Sequence, residues 1–246
     1  MKIPSLTTIS CLKVHRGFPL LAIIFLLTAC GTPVIKPEQV SAIRKVGVIS
    51  LLPVNLAYQK IGVTVFNNEQ ASLPVGDAFN VAARAGAERE LRRAGRTVVQ
   101  LDADVAVLAK RIRSATIIFN SSAEQIKDEL TKLVQQHQLD AVVLVFEAFD
   151  AENGVNGVRL HLRAGFGEIR TVVGRPDVVT LVVDDKISKL AVQSNSGYFS
   201  AVRAGGRPWS YRLDENLDAS THELASSSMQ KAIETGVAYD LELMGL

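Results

Sequence analysis

The run Ala141-Val142-Val143-Leu144-Val145-Phe146 is apolar without interruption. Such a run has the length and composition of a buried strand, so it reads as the central strand of a sheet. What precedes it agrees. Ser121-Ser122-Ala123-Glu124-Gln125 holds two overlapping S-x-x-E/Q capping boxes, the reciprocal arrangement that satisfies the first free N–H groups of a helix. Behind them Ile126, Leu130, Leu133, Val134 and His137 follow a spacing of three and four. Helix then buried strand places the chain in the α/β class, with α+β character further on.

The remaining elements follow from similar patterns. Val46 to Leu52 is a short β-branched run, the composition of a buried strand. Tyr58 to Phe66 alternates, with Ile61, Val63 and Val65 on one face, and is expected to form a hairpin with it. Asn67 to Gly76 reads as a loop. Asp77 and Gly95 bracket a helix whose buried stripe is Phe79, Ala83, Ala87, Leu91 and Ala94; Arg84, Glu88, Arg89, Arg92 and Arg93 form its solvated face. Thr97 to Leu101 is a strand, Ala103 to Arg111 a short helix, and Thr116 to Phe119 fits either state.

After Asp150 the character changes. Leu160, Leu162 and Ala164 alternate with Arg159, His161 and Arg163, the mark of a strand with one wet face. Gly165, Gly167 and Gly174-Arg175-Pro176 mark bends, Asp177 to Asp184 is a strand, and Ile187 to Gln193 pairs with it. Asn195 to Arg212 reads as a loop. From about Leu217 to Met244 runs a long C-terminal helix, with Leu217, Leu224, Ala225, Met229, Ala232, Ile233, Val237, Leu241 and Met244 on one stripe and Ser220 and Glu223 as a capping box. The expected architecture is a mixed sheet packed by two or three helices.

The amino terminus has a different order. Lys2, Lys13 and Arg16 come with no acid, then an apolar segment from Phe18 to Leu27, then Thr28-Ala29-Cys30. The apolar part is short of the roughly twenty residues that span a bilayer, and small residues end it as a cleavage site requires. Leu27-Thr28-Ala29-Cys30 resembles the lipobox of bacterial lipoproteins. The resemblance implies cleavage between Ala29 and Cys30, lipid on the Cys30 sulfur, and acylation of the new amine. Cys11 follows no apolar run. Gly31, where an Asp favours inner-membrane retention in that family, implies the outer membrane, and the domain is expected to face the periplasm. The expected organisation is a signal peptide over 1–29, a tether over 30–44 and one envelope domain over 45–246; fully extended, the tether would reach about 45 to 50 Å.

Charge narrows the partners. The chain carries 27 Lys and Arg against 25 Asp and Glu, but three bases leave with the signal, so the mature protein is at −1. It lacks the basic footprint of a nucleic-acid binder. Of the two cysteines, Cys11 leaves and Cys30 takes lipid, so no disulfide is expected although the compartment is oxidising. The remaining 217 residues suffice for a core that buries roughly 70% of the unfolded surface.

The order strand, helix ending at Gly95, strand, capped helix, then Asp140-Ala141-Val142-Val143-Leu144-Val145, with Leu181-Val182-Val183-Asp184 later, resembles the small periplasmic α/β domain of the TolB amino terminus and of the curli-secretion lipoprotein. The resemblance covers roughly Val46 to Gln193.

No catalytic set emerges. His137, His161 and His222 are far apart and lack the local pairs of a zinc site; no metal and no cofactor are expected. G-x-S-x-G is absent, and Gly165-Phe166-Gly167 lacks the third glycine of a dinucleotide loop. Glu147, Asp150, Asp184 and Asp185 near strand ends are the acid/base candidates of a lipid-tethered hydrolase, if they converge. Trp209, Tyr198, Phe199 and Tyr211 form an aromatic group that could dock a polypeptide or a glycan, because aromatic anchors concentrate binding energy; the other possibility is that their loop folds back and buries them under the long C-terminal helix. The expected function is a non-enzymatic binding or assembly module, held to a membrane by lipid, with an envelope protein or cell-wall partner.

Overall fold

Two crossovers of fixed hand generate the centre of the molecule. In the computed structural model, which describes residues 34–101, 108, 123–150, 155–195 and 197–246, strand β1 (Lys45–Leu51) lies between β4 (Thr97–Gln100) and β5 (Ala141–Glu147), parallel to both. Helix α2 (Ala78–Arg93) precedes β4 on the connection from β1, after a hairpin that joins a second sheet, and α3 (Ala123–His137) lies between β4 and β5 in the chain. The two connections run in opposite directions across the sheet, so right-handed crossovers put their helices on opposite faces. Strands β10 (Val178–Asp184) and β11 (Lys189–Asn195) complete this first sheet antiparallel, in the order β11-β10-β5-β1-β4. The run Ala141 to Phe146 is thus central and buried throughout.

Its side chains divide between two cores by parity. Val143 and Val145 face one with α2 and with the long helix α4 (Ala219–Met244); Val142, Leu144 and Phe146 face another with Ile126, Leu130 and Val134 of α3.

A second five-stranded sheet takes the remaining long strands. These are β2 (Asn55–Ile61), β3 (Glu69–Pro74), β8 (Val158–Ala164), β9 (Ile169–Pro176) and the short β12 (Phe199–Ser200), in the order β12-β9-β8-β2-β3. A two-stranded ribbon of β6 (Phe149–Asp150) and β7 (Val155–Asn156) joins β5 to β8. Leu56 and Tyr58 of β2 and Leu160 and Leu162 of β8 join the α2/α4 core, which both sheets share. The fold is therefore α+β, with mixed sheets and a long C-terminal helix.

Helix ends follow local chemistry. Gly95 adopts φ 76° after α2, and the N–H of Arg96 reaches back to Leu91 O, a Schellman closure that favours glycine. Asp218 caps α4 by accepting the Thr221 N–H at 3.0 Å. Gly86 of α2 lies where a Cβ would overlap the Glu234 backbone oxygen, so the close pair formed by α2 is with α4.

Several sequence expectations change. The strand after Pro53 does not pair with β1, whose two edges are taken by β4 and β5; its hairpin partner is β3, inside the stretch read as a loop. The buried alternation in β2 is Leu56, Tyr58 and Lys60, not Ile61, Val63 and Val65. Asp77 makes no side-chain cap bond and pairs with Arg84 instead, because its backbone (φ −85°, ψ 7°) is not extended. Ser220 is not the start of a capping box; it donates to Asp218. Ala94 and Leu224 are exposed. Gly174 and Pro176 lie within β9, and Gly174 provides the space occupied by the Phe199 ring.

The wet face of β8 is corrected too. Arg159 is 1% exposed and His161 half-buried, while Arg163 is exposed. Burial falls along the strand because its start is wedged between the sheets: Val158 N–H donates to Glu147 at 3.1 Å, and Gly157 abuts the Asp177 backbone.

Residues 34–44, expected as part of a tether, belong to the domain instead. Ile35 and Ile43 are in the core at 1% and 3% exposure, and a helix, α1 (Pro37–Ala42), lies between them. Apolar residues on either side of Pro37 make this segment part of the domain. The expected short helix Ala103–Arg111 lies outside the described residues except for Leu108, which is buried; Thr116 to Phe119 lies outside them entirely.

Candidate functional site

The strand-end acids are not assembled by the sheet. Val178 of β10 is opposite Glu147 of β5, and Asp184 is opposite Ala141, so Glu147 and Asp184 stand at opposite ends of one strand pair. Six residues at about 3.3 Å each separate them by roughly 20 Å. Each has a local partner. Glu147 accepts the Val158 N–H, and Asp184 accepts those of Lys186 and Ser188 at 3.0 and 2.7 Å. Asp150 follows near the Glu147 end in β6, and Asp185 lies in the turn after β10.

The histidines are likewise dispersed. His137 closes α3. His161 is held below the ordinary histidine range, first by burial and then by Arg159, Arg175 and Arg163. His222 is bound at both ring nitrogens. Nε2 lies 3.0 Å from Pro74 O, which can only accept, so Nε2 carries the proton and Nδ1 faces the Tyr58 hydroxyl at 2.9 Å. Burial, followed by Asp218, raises the Tyr58 phenol above its usual range. Among the described residues no three His, Cys, Asp or Glu are grouped to hold a metal ion.

The aromatic group separates when folded. Tyr198 is 79% exposed. Phe199 pairs through β12 with β9, and Phe199 and Trp209 pack on the shared core; the indole N–H donates to Ala201 O at 3.3 Å. The Tyr211 ring lies 4.1 Å from the Lys60 ammonium, a cation–π contact, and its hydroxyl accepts from Asn67 at 3.3 Å.

A different apolar surface stands out. Strands β2 and β8 are parallel neighbours with Ile61 opposite Arg163, so the loop after β2 and the turn after β8 emerge at one end of the second sheet. The first carries Val63, Val65 and Phe66 at 49%, 77% and 93% exposure, and the second carries Phe166 at 86%.

The loops are positioned from below. Gly62 leaves space for the Asn67 backbone and donates to Asn68 at 3.0 Å; Gly167, at φ 78°, makes the second turn. Lys60, at 1% exposure, pairs with Glu69 across the β2–β3 ladder. That hydrogen bond is the main cause holding the Glu69 carboxyl below its usual range. Glu69 also accepts the Leu213 N–H at 3.1 Å. Sequence reading missed this end because Val63 and Val65 look like core residues of an alternating strand; Gly62 and Asn67-Asn68 were the available signal of a turn.

The architecture defines a two-sheet α+β protein with an exposed aromatic end. Among solved structures it is similar to Lipoprotein GNA1162 from Neisseria meningitidis, with 14% identity over 77% of this chain and 97% of that one and a TM-score of 0.30. It is also similar to the PelC dodecamer protein from Paraburkholderia phytofirmans, with 12% identity over 80% of this chain and 89% of that one and a TM-score of 0.31. No family model and no curated protein matches the chain. No helix among the described residues is long and apolar enough to cross a membrane.

Proposed function

We propose that this chain is a lipid-anchored protein of the bacterial cell envelope that acts by binding another protein through the exposed loops after β2 and β8. The observation that carries the anchor is the order of bases, a short apolar segment and Leu27-Thr28-Ala29-Cys30. Cys30 takes the lipid and two acyl chains or more hold the body to its bilayer. Gly31 in place of an acid directs it to the outer membrane, with the domain in the periplasm. The binding role rests on Phe66 and Phe166, which leave a large apolar area in water unless a partner covers it.

Changing Cys30→Ser is expected to move the protein out of the membrane fraction and to abolish the mass added by acyl chains. A Cys30→Ser protein that still sediments with membranes at its native size overturns the anchor. For binding, a photo-crosslinking side chain at Phe66 or Phe166 in the anchored protein is expected to give a discrete adduct that the same group at exposed Tyr239 of α4 does not. Identical products at all three positions overturn the assignment of the docking loops.

A further inference from the structure

The length of chain between the proposed anchor and the first buried residue selects one face of the domain. Ile35 is 1% exposed, and its N–H donates to Met244 O at 3.0 Å. Only Gly31, Thr32 and Pro33 lie between Cys30 and Val34, and four residue steps span at most about 14 Å. Val34 is fixed to the body. Gly245 lies against Val34 and Val40, Leu246 is 3% exposed, and Arg96 donates to Ile43 O. The N–H groups of Arg44 and Lys45 both donate to one carboxylate oxygen of Asp140 at 2.8 Å.

Resting on the proposed lipidation of Cys30, we infer that the end of the domain built from Val34, α1 and the last turn of α4 lies against the phospholipid headgroups of the anchoring bilayer. Val34, 59% exposed, is an apolar foot beside the anchor. Lys36 and Arg44 are exposed, with side chains long enough to reach lipid phosphates. Glu38 and Glu242 are exposed at the same end, so charge attraction alone does not hold the contact. The short tether does, by giving this face a high effective concentration at the surface.

The aromatic loops belong to the sheet whose β2–β3 hairpin contacts the other end of α4. α4 has 26 residues, about 39 Å of helix, and its C-terminus is the end that meets Ile35. Near its N-terminus His222 contacts Tyr58 of β2 and Pro74 O of β3, and Leu213, which precedes α4 in the chain, donates to Glu69 at the loop end of the same hairpin. Phe66 and Phe166 are thereby held away from the anchor and left free for a partner.

The test uses the full-length protein exported and lipidated in cells, then reconstituted into vesicles of phosphatidylethanolamine and phosphatidylglycerol. Gln39→Cys on α1 and Phe166→Cys each supply a single thiol, since Cys11 leaves with the signal and Cys30 is acylated. With a bulky, membrane-impermeant maleimide, the thiol at position 39 is expected to react about tenfold slower than that at 166. An insert of about 20 Gly and Ser residues after Thr32, flexible enough to release the face, is expected to bring the position-39 rate to within about twofold of its value in detergent. Equal rates at the two positions in acylated protein, or no gain on lengthening the tether, overturn this inference alone. An intact mass without acyl chains overturns the anchor and this inference together.

Discussion

The two sheets share a core but solve burial differently. In the first, β5 is enclosed by α3 on one side and by α2 and α4 on the other, so successive residues are apolar whichever way they point. In the second, Leu160 and Leu162 of β8 face the core while Arg159, His161 and Arg163 point away, with exposure rising along the strand. A sheet covered on both faces advertises itself as a continuous apolar run. A sheet covered on one face carries charge within it, and where that charge is enclosed it requires a partner.

The largest expected effects test this directly. Leu144→Ala and Val143→Ala, on opposite faces of β5, are both expected to destabilise, the leucine by about 3 kcal/mol, read as a lowered urea midpoint. In β8 the same neighbouring comparison is expected to split: Leu162→Ala costs about 3 kcal/mol and Arg163→Ala leaves the midpoint unmoved. Equal losses at 162 and 163 break the comparison.

Buried polar groups sharpen it. Asp240 of α4 is 1% exposed against the first sheet and accepts from Thr180 of β10 at 2.8 Å. Burial raises its carboxyl to about 6, against the smaller opposing effect of that hydrogen bond. The folded protein therefore keeps a proton that the unfolded chain releases near pH 4, and this group's contribution falls as pH rises from about 4 to about 6. The difference amounts to about 2 to 3 kcal/mol. Asp240→Asn is expected to raise the urea midpoint at pH 7.5 and flatten its decline across that window; an unchanged pH profile removes Asp240 as the cause.

Packing between helices is the next test. Gly86→Ala adds a Cβ onto the Glu234 backbone and is expected to cost about 2 kcal/mol by forcing α2 from α4. Calorimetry is expected to show a lower Tm, while the Trp209 fluorescence of the folded state stays that of the native protein. A changed native spectrum indicates that the helix pair positions the second sheet's loops as well.

The smallest effect belongs to the second sheet's ion pair, and its pH dependence has the opposite sign. Glu69 is held below its usual range chiefly by the Lys60 hydrogen bond, so its contribution is present above the ordinary carboxylate range and lost as pH falls through the lowered value. Glu69→Ala leaves a buried ammonium and a Leu213 N–H without that carboxylate. Partial exposure of the pair limits the cost to about 1 to 2 kcal/mol. Lys60→Met is expected to cost less, and a greater loss for Lys60→Met in denaturant titrations contradicts the account.

Legibility in the sequence follows the same division. The Ala141–Phe146 strand, the Gly95 helix end, the β10–β11 pair and the long last helix could be read directly, because their patterns are local and their neighbours only complete what periodicity begins. The partner of β2 could not. Its alternation fits either of two faces, and the choice fell to Lys60, whose burial depends on Glu69 and Tyr211 being brought beside it. Trp209 and Tyr211 looked alike in one loop, yet one packs on the core and the other receives a lysine.

By itself the sequence determined the class of the fold and the central strand, since each is a matter of consecutive residues and their spacing. Only the tertiary structure decided that residues 34–44 belong to the domain, that Glu147 and Asp184 stand at opposite ends of one strand pair and that the Phe66 and Phe166 loops emerge at one end of the second sheet. Those outcomes depend on which distant segments compete for the same sheet edge and the same core volume, and no stretch of chain carries that information alone.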